Sequence, residues 1–221
     1  AFADLMIDER LSPVGGGQDL SRLRDIRAAA QRISTTLAEL RDLSRIESGA
    51  FELTPAPVSL NDVVESAIAE QQAAAGRARV VIRSSFAAAL PEIVADPAAL
   101  RQIAGNLIAI AIHLANAGGQ AIVSTARTDD GRVMLRLRDT GPGLTEAELA
   151  AAAEPLRAPA DADHATLTNA GVNLALTRAL ITASGATLAI RSAAASGTLI
   201  EVAFATAAEP GAVSPAEVES I

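Results

Sequence analysis

The stretch LRDTGPGLT, Leu137 to Thr145, closes an alternating run and opens a loop on an aspartate followed by Gly-x-Gly. An aspartate at a strand end, beside backbone that carries no side chains, can accept a hydrogen bond from an exocyclic amine. The glycines let a flat ring approach it. Taken alone, Asp-x-Gly-x-Gly is also an ordinary turn, and the motif by itself leaves both readings open.

Working outward, TDDGR (Thr128 to Arg132) joins two alternating runs and is a hairpin signal. The pattern predicts helix 60–75, strand 79–85, helix 97–116, strands 120–127 and 132–139 and a short helix 145–153. Helix 171–184 and strands 186–192 and 198–205 follow. Ser59 is placed to cap the first of these helices, with Asp62 at its third position. These elements give an α/β sandwich, one mixed sheet with helices on one face, and an α+β class for the chain.

Upstream, after a Gly- and Pro-rich loop at 11–20, apolar residues recur at Leu23, Ile26, Ala30, Ile33, Leu37 and Leu40. Spacings of three and four are the seam of a coiled coil or four-helix bundle. Gly49 is a natural C-cap. With the helical stub AFADLMIDERL at the start, residues 1–50 read as a helical hairpin. Two helices bury little, so a second copy of the chain is expected to complete the bundle. The organisation is thus 1–50 bundle hairpin, 51–59 connector, 60–206 sandwich and 207–221 loose tail.

Apolar residues make up 50% of the 221 and charged residues 20%, a globular balance. Aromatics are only 2% and the net charge is −8. Few rings and no basic surplus argue against nucleic-acid binding. Absence of cysteine excludes disulfides and thiolate metal sites and suits the cytoplasm. The most apolar helical stretch, Ile103 to Ala115, falls short of a membrane span. The chain opens in mid-helix without a methionine and is read as a fragment whose upstream part is missing. No Ser-His-Asp arrangement, Glu/His metal spacing or Walker A loop is present. Glu47 and Glu52 read as plain surface carboxylates.

Several stretches occur in the order and spacing of sensor histidine kinases. They are LSRIESG, VADPAALRQIAGNL, DTGPGL, AAAEPL and NAGVNLALTRALITASGATLAIRS. The resemblance runs from the second helix of the dimerisation and phosphotransfer region to the end of the ATP-binding domain. Its start is most similar to the alphaproteobacterial cell-cycle group that includes PleC, DivJ and the kinase-like DivL. What it implies is a dimeric four-helix bundle followed by a Bergerat-type sandwich that takes ATP and Mg²⁺. Asp139, Gly141 and Gly143 fall on the adenine side. Asn106, on the helix the family calls the N box, helps position the phosphates. His113 falls where a phosphate contact is usual, although a surface histidine is an equal reading.

The resemblance also exposes departures. The residue four after Asn106, which shares its helix face, would give Mg²⁺ an oxygen ligand. Here it is Ile110. The family's Gly-x-Gly-x-Gly segment, a helix N-terminus that holds phosphates, becomes NAGVNL. Asn169 and Asn173 replace the outer glycines and only Gly171 remains. Leu156 replaces a phenylalanine. The lid carries Asp161 and Asp163, with Arg157 and His164 as its only cations, and acidic groups repel a triphosphate. The family's phosphoacceptor histidine is expected upstream of Ala1, and the Mg²⁺ site is expected to be lost.

The expectation is a degenerate kinase core that works as a dimeric scaffold and binds response-regulator receiver domains. Another histidine kinase is a further candidate partner. Receivers are expected on the bundle helix at Asp25, Ala29, Arg32 and Thr36; without the resemblance, those positions read as solvated surface. Two rivals stand beside this reading. One is an active ATP-dependent kinase, and the other a phosphotransferase that keeps the bundle and a vestigial ATP domain.

Overall fold

The computed structural model describes residues 17–48, 51–146, 148 and 165–206. Its first element is the helix α1 (Gly17–Glu47), 31 residues long. The sandwich follows: β1 (Ala56–Val58), α2 (Leu60–Ala78), β2 (Val81–Ser85), β3 (Ile93–Ala95), α3 (Pro97–Leu114), β4 (Gln120–Arg127), β5 (Val133–Asp139), α4 (Ala165–Ala183), β6 (Thr187–Ser192) and β7 (Thr198–Phe204).

Five strands form the main sheet in the order β2-β4-β5-β7-β6. Only β2 with β4 is parallel; the other neighbours are antiparallel. One-residue alternation sends Ala121, Val123, Leu135, Leu137, Ile200 and Val202 to a single face, where each is buried. Helices α2, α3 and α4 lie on that face, with α3 packed against both of the others. The α+β architecture, with a mixed sheet and helices on one side, is therefore observed as the alternation predicts.

The core is aliphatic. Nine of the 18 residues of α3 are buried, among them Ile103, Leu107 and Ile108. Each such side chain stabilises the fold by about 1.5–3 kcal/mol on leaving water. Among the described residues, α3 is the one helix long and apolar enough to cross a membrane, and half of it is buried inside this domain.

Local chemistry sets the element ends. The Ser59 hydroxyl accepts from the Asp62 amide at 3.4 Å and starts α2. Asp96 starts α3: its Oδ1 accepts from the Ala98 and Ala99 amides at 2.8 and 2.9 Å, with Pro97 in the first turn. Between β4 and β5, Gly131 adopts φ 90° and its amide donates to the Thr128 carbonyl. That hairpin is the one predicted from TDDGR.

Several boundaries differ from expectation. Helix α2 passes through Gly76 to Ala78, and β2 begins at Val81. One glycine costs a helix only about 1 kcal/mol, and the chain stops at Arg79 instead, in left-handed conformation at φ 56°. The stretch read as connector contains β1, which pairs antiparallel with β3 in the register Ala56↔Ala95 and Val58↔Ile93. The Thr54 amide donates to Asp96 Oδ2 at 2.8 Å, fastening that stretch to the start of α3. Helix α1 starts at Gly17, inside the stretch read as loop. Helix α4 starts at Ala165, six residues before the expected 171.

Helix α1 packs along α4, with Leu43 buried in the common core. The Arg45 guanidinium stands 5.7 Å from the centre of the Phe51 ring. Residues of the seam nearer the start of α1 face outward: Ile26, Ile33 and Leu37 are 58–62% exposed. The stub at 1–11, Gly49, the greater part of the short helix at 145–153 and the tail from 207 lie outside the described residues.

Candidate functional site

Strand β5 ends on Asp139, which is only 2% exposed. Its Oδ1 accepts from the Gly141 amide at 2.7 Å and its Oδ2 from the Thr198 amide at 2.9 Å. A carboxylate has about four lone-pair sites, so half of its accepting capacity is left for another donor. The backbone around it is closely packed. A Cβ at Gly141 would lie 1.9 Å from the Leu114 carbonyl oxygen, and one at Gly197 would lie 2.2 Å from the Asp139 carbonyl oxygen. Gly143, at φ +78°, would meet the Ala193 carbonyl at 2.1 Å. Glycine is thus sterically required at Gly141 and Gly197 beside the carboxylate, and at Gly143 against the β6–β7 turn.

The turn between β6 and β7 supports this loop from the other side. Ser192 Oγ accepts from the Leu144 amide at 2.7 Å and lies 2.9 Å from Thr198 Oγ1. The Ala195 amide donates to the Pro142 carbonyl. After the loop, Thr145 and Glu148 exchange capping bonds: the Glu148 amide donates to Thr145 Oγ1 and the Thr145 amide to Glu148 Oε2. Ser192, Gly197 and Thr198 were not singled out from sequence. The signal available was the Ser-Gly-Thr turn of ASGTL before an alternating strand.

On α3, Asn106 is half-buried and its Nδ2 donates to Thr177 Oγ1 of α4 at 3.1 Å. Thr177 is fully buried. The amide thus ties two helices together. One turn on, Ile110 is 6% exposed and belongs to the aliphatic core. Another turn on, His113 is exposed.

Asn169, Gly171 and Asn173 all lie within α4, beyond its first four residues. Only those first four amides of a helix lack an internal acceptor. The free N–H groups of α4 therefore fall in ATLT, before the segment read as the phosphate-holding turn. Asparagine costs a helix less than glycine does, which suits Asn169 and Asn173 to positions inside α4. Asp25, Ala29, Arg32 and Thr36 share α1, three and four residues apart; of their side chains the structure describes Ala29, half-buried. Leu156, Arg157, Asp161, Asp163 and His164 lie outside the described residues.

The arrangement brings Asp139, Gly141 and Gly143 together at one strand end and sets Asn106, Ile110 and His113 along the neighbouring helix α3. Its two halves fit a magnesium nucleotide differently. A buried carboxylate with spare acceptor sites in a glycine cradle fits an exocyclic amine. A buried isoleucine offers no lone pair, and Mg²⁺ takes oxygen ligands. The residue at position 110 does not fit the metal.

Comparison with known proteins agrees with this fold. Residues 95–208 match the model of the family described as histidine kinase-, DNA gyrase B- and HSP90-like ATPase. The cell-division control histidine kinase PdhS of Brucella anthropi is 39% identical over 211 residues, 92% of this chain; PdhS of Brucella abortus strain S19 is 38% identical over the same length. The chain spans 20% of the length of these relatives. Among solved structures, full-length ShkA in complex with AMPPNP aligns over 94% of this chain and 43% of its own, at TM-score 0.74 and 24% identity. The Acinetobacter baumannii histidine kinase AdeS aligns over 92% and 91%, at TM-score 0.65 and 20% identity. At such identities the two structures bear on the fold alone. The chain belongs to the histidine kinase-, DNA gyrase B- and HSP90-like ATPase family, as a sensor histidine kinase core.

Proposed function

We propose that this chain is the core of a two-component signalling protein whose ATP site is degenerate, acting mainly as a dimeric scaffold that binds response-regulator receiver domains. The observation that carries the reading is Ile110, 6% exposed within the apolar core on the face of α3 that also bears Asn106. Position 110 offers no oxygen to a divalent ion. Asn106 donates to Thr177, and the amides of NAGVNL fall inside a helix. All three features bear on Mg²⁺ and phosphate, and none weakens the fold.

Dimerisation through α1 is part of the proposal, supported by the outward-facing Ile26, Ile33 and Leu37. Receiver docking around Asp25, Ala29, Arg32 and Thr36 is another part and rests on the family resemblance. A cytoplasmic location is a further part, suggested by the absence of cysteine. Labelling the parent protein with ATP carrying a radioactive γ-phosphate tests the reading. Label at the background level of a heat-denatured control is expected; steady, Mg²⁺-dependent incorporation would overturn it.

One observation favours a second reading, an active kinase. The Asp139 cradle, the half of the site that fits an exocyclic amine, is complete. Under that reading the same labelling experiment gives phosphorylated protein, and Ile110→Asn adds little.

A further inference from the structure

The helices cover one face of the main sheet; the other face has its own pattern. Strand register places Arg83, Ile122, Arg138, Leu199 and Arg191 side by side across all five strands. The three arginines are exposed and the two aliphatic residues half-exposed. In the next row along the strands, Arg136 and Glu201 are paired at 2.8 Å, and Arg191 also reaches Glu201 at 3.4 Å. Arg83 and Arg138 make no ion pair among the described residues. The outward strand positions therefore carry four arginines against one glutamate, in a chain whose net charge is −8.

An ordinary solvated sheet face alternates polar residues of mixed sign with its buried ones. This one is predominantly positive and intersperses aliphatic side chains. Neighbouring strands lie about 4.8 Å apart, which sets the arginines of the row roughly 10 Å from one another with an apolar residue midway. Along an α-helix, residues seven apart on one face are separated by about 10.5 Å, with the third or fourth residue between them. Guanidinium groups pair with carboxylates through two parallel hydrogen bonds, which rewards a partner that repeats acids at this interval.

We propose that the open face of the five-stranded sheet is a docking surface for an acidic amphipathic helix of a partner protein. The helix lies across the strands, its carboxylates on Arg83, Arg138 and Arg191 and its aliphatic residues on Ile122 and Leu199. The inference rests on strand register and charge and is independent of the state of the nucleotide site.

Fluorescence anisotropy with a labelled helical peptide tests it, the peptide carrying glutamates one heptad apart and leucines midway between them. Saturable binding is expected, weakening as salt is raised. A peptide of the same composition with its glutamates out of phase should bind at least about tenfold more weakly. The Arg83→Glu/Arg138→Glu double variant should lose about tenfold or more, as three charge-assisted contacts become one. Circular dichroism of that variant should match the parent, because both positions are exposed. Equal binding of the two peptides, an unchanged affinity of the double variant, equally tight binding of a single-stranded oligonucleotide of the same charge, or self-association through this face that shuts the peptide out would each overturn the proposal.

Discussion

Ile110 sits where burial and chemistry conflict. At 6% exposure its branched side chain packs with the core of α3. Ile110→Asn therefore removes apolar contact and buries an amide in the same step. The expected cost is about 3 kcal/mol, the sum of lost transfer and poorly satisfied polar atoms. Urea unfolding of the variant checks it through a lower midpoint at unchanged slope. A loss below about 0.5 kcal/mol would place position 110 in open water instead. Aspartate 139 was legible from sequence because a strand end and two glycines are local signals. The bond from Asn106 to Thr177 was not, since it joins residues 71 positions apart.

Element boundaries show the same division between local and non-local information. The hairpin, the Ser59 cap and the start of α3 each depend on a few adjacent residues, and each was readable. Strands β1 and β3 have three residues apiece and no period to detect; their pairing exists only once the fold brings 56–58 to 93–95. The end of α2, expected at 75, falls at Ala78, where Arg79 takes a left-handed conformation that no adjacent glycine or proline announces. Asp96 offers a test at this scale. Hydrogen bonds donated by the backbone amides of Ala99, Thr54 and Ala98 hold its carboxyl below the ordinary value of 3.8. A depressed value in the folded state means that the stabilisation is present above the unfolded pKa and is lost as pH falls through the folded one. Asp96→Ala should cost about 1 kcal/mol at neutral pH. The gap between the two proteins should close below pH 3.8. Chemical denaturation across that range checks it, and a gap independent of pH would remove the carboxylate from the explanation.

At the scale of the molecule, the described residues join one long helix to a sandwich, and that helix leaves part of its apolar seam exposed. Ile33 and Leu37, both 62% exposed, lie one turn apart on α1. Burying each in a second copy would stabilise a dimer by about 1.5–3 kcal/mol. Ile33→Glu with Leu37→Glu should therefore shift the chain toward monomer in sedimentation equilibrium, and an unchanged mass would place the dimer contact elsewhere. The bundle seam was plain in the sequence as a three-and-four spacing. That α1 also packs against α4 was not, because the contact joins helices at opposite ends of the described chain. The central claim concerns the counter-ion of the triphosphate, and calorimetric titration with ATP, with and without Mg²⁺, tests it most directly. The account predicts weak or undetectable binding that Mg²⁺ does not strengthen; micromolar affinity that depends on Mg²⁺ would contradict it.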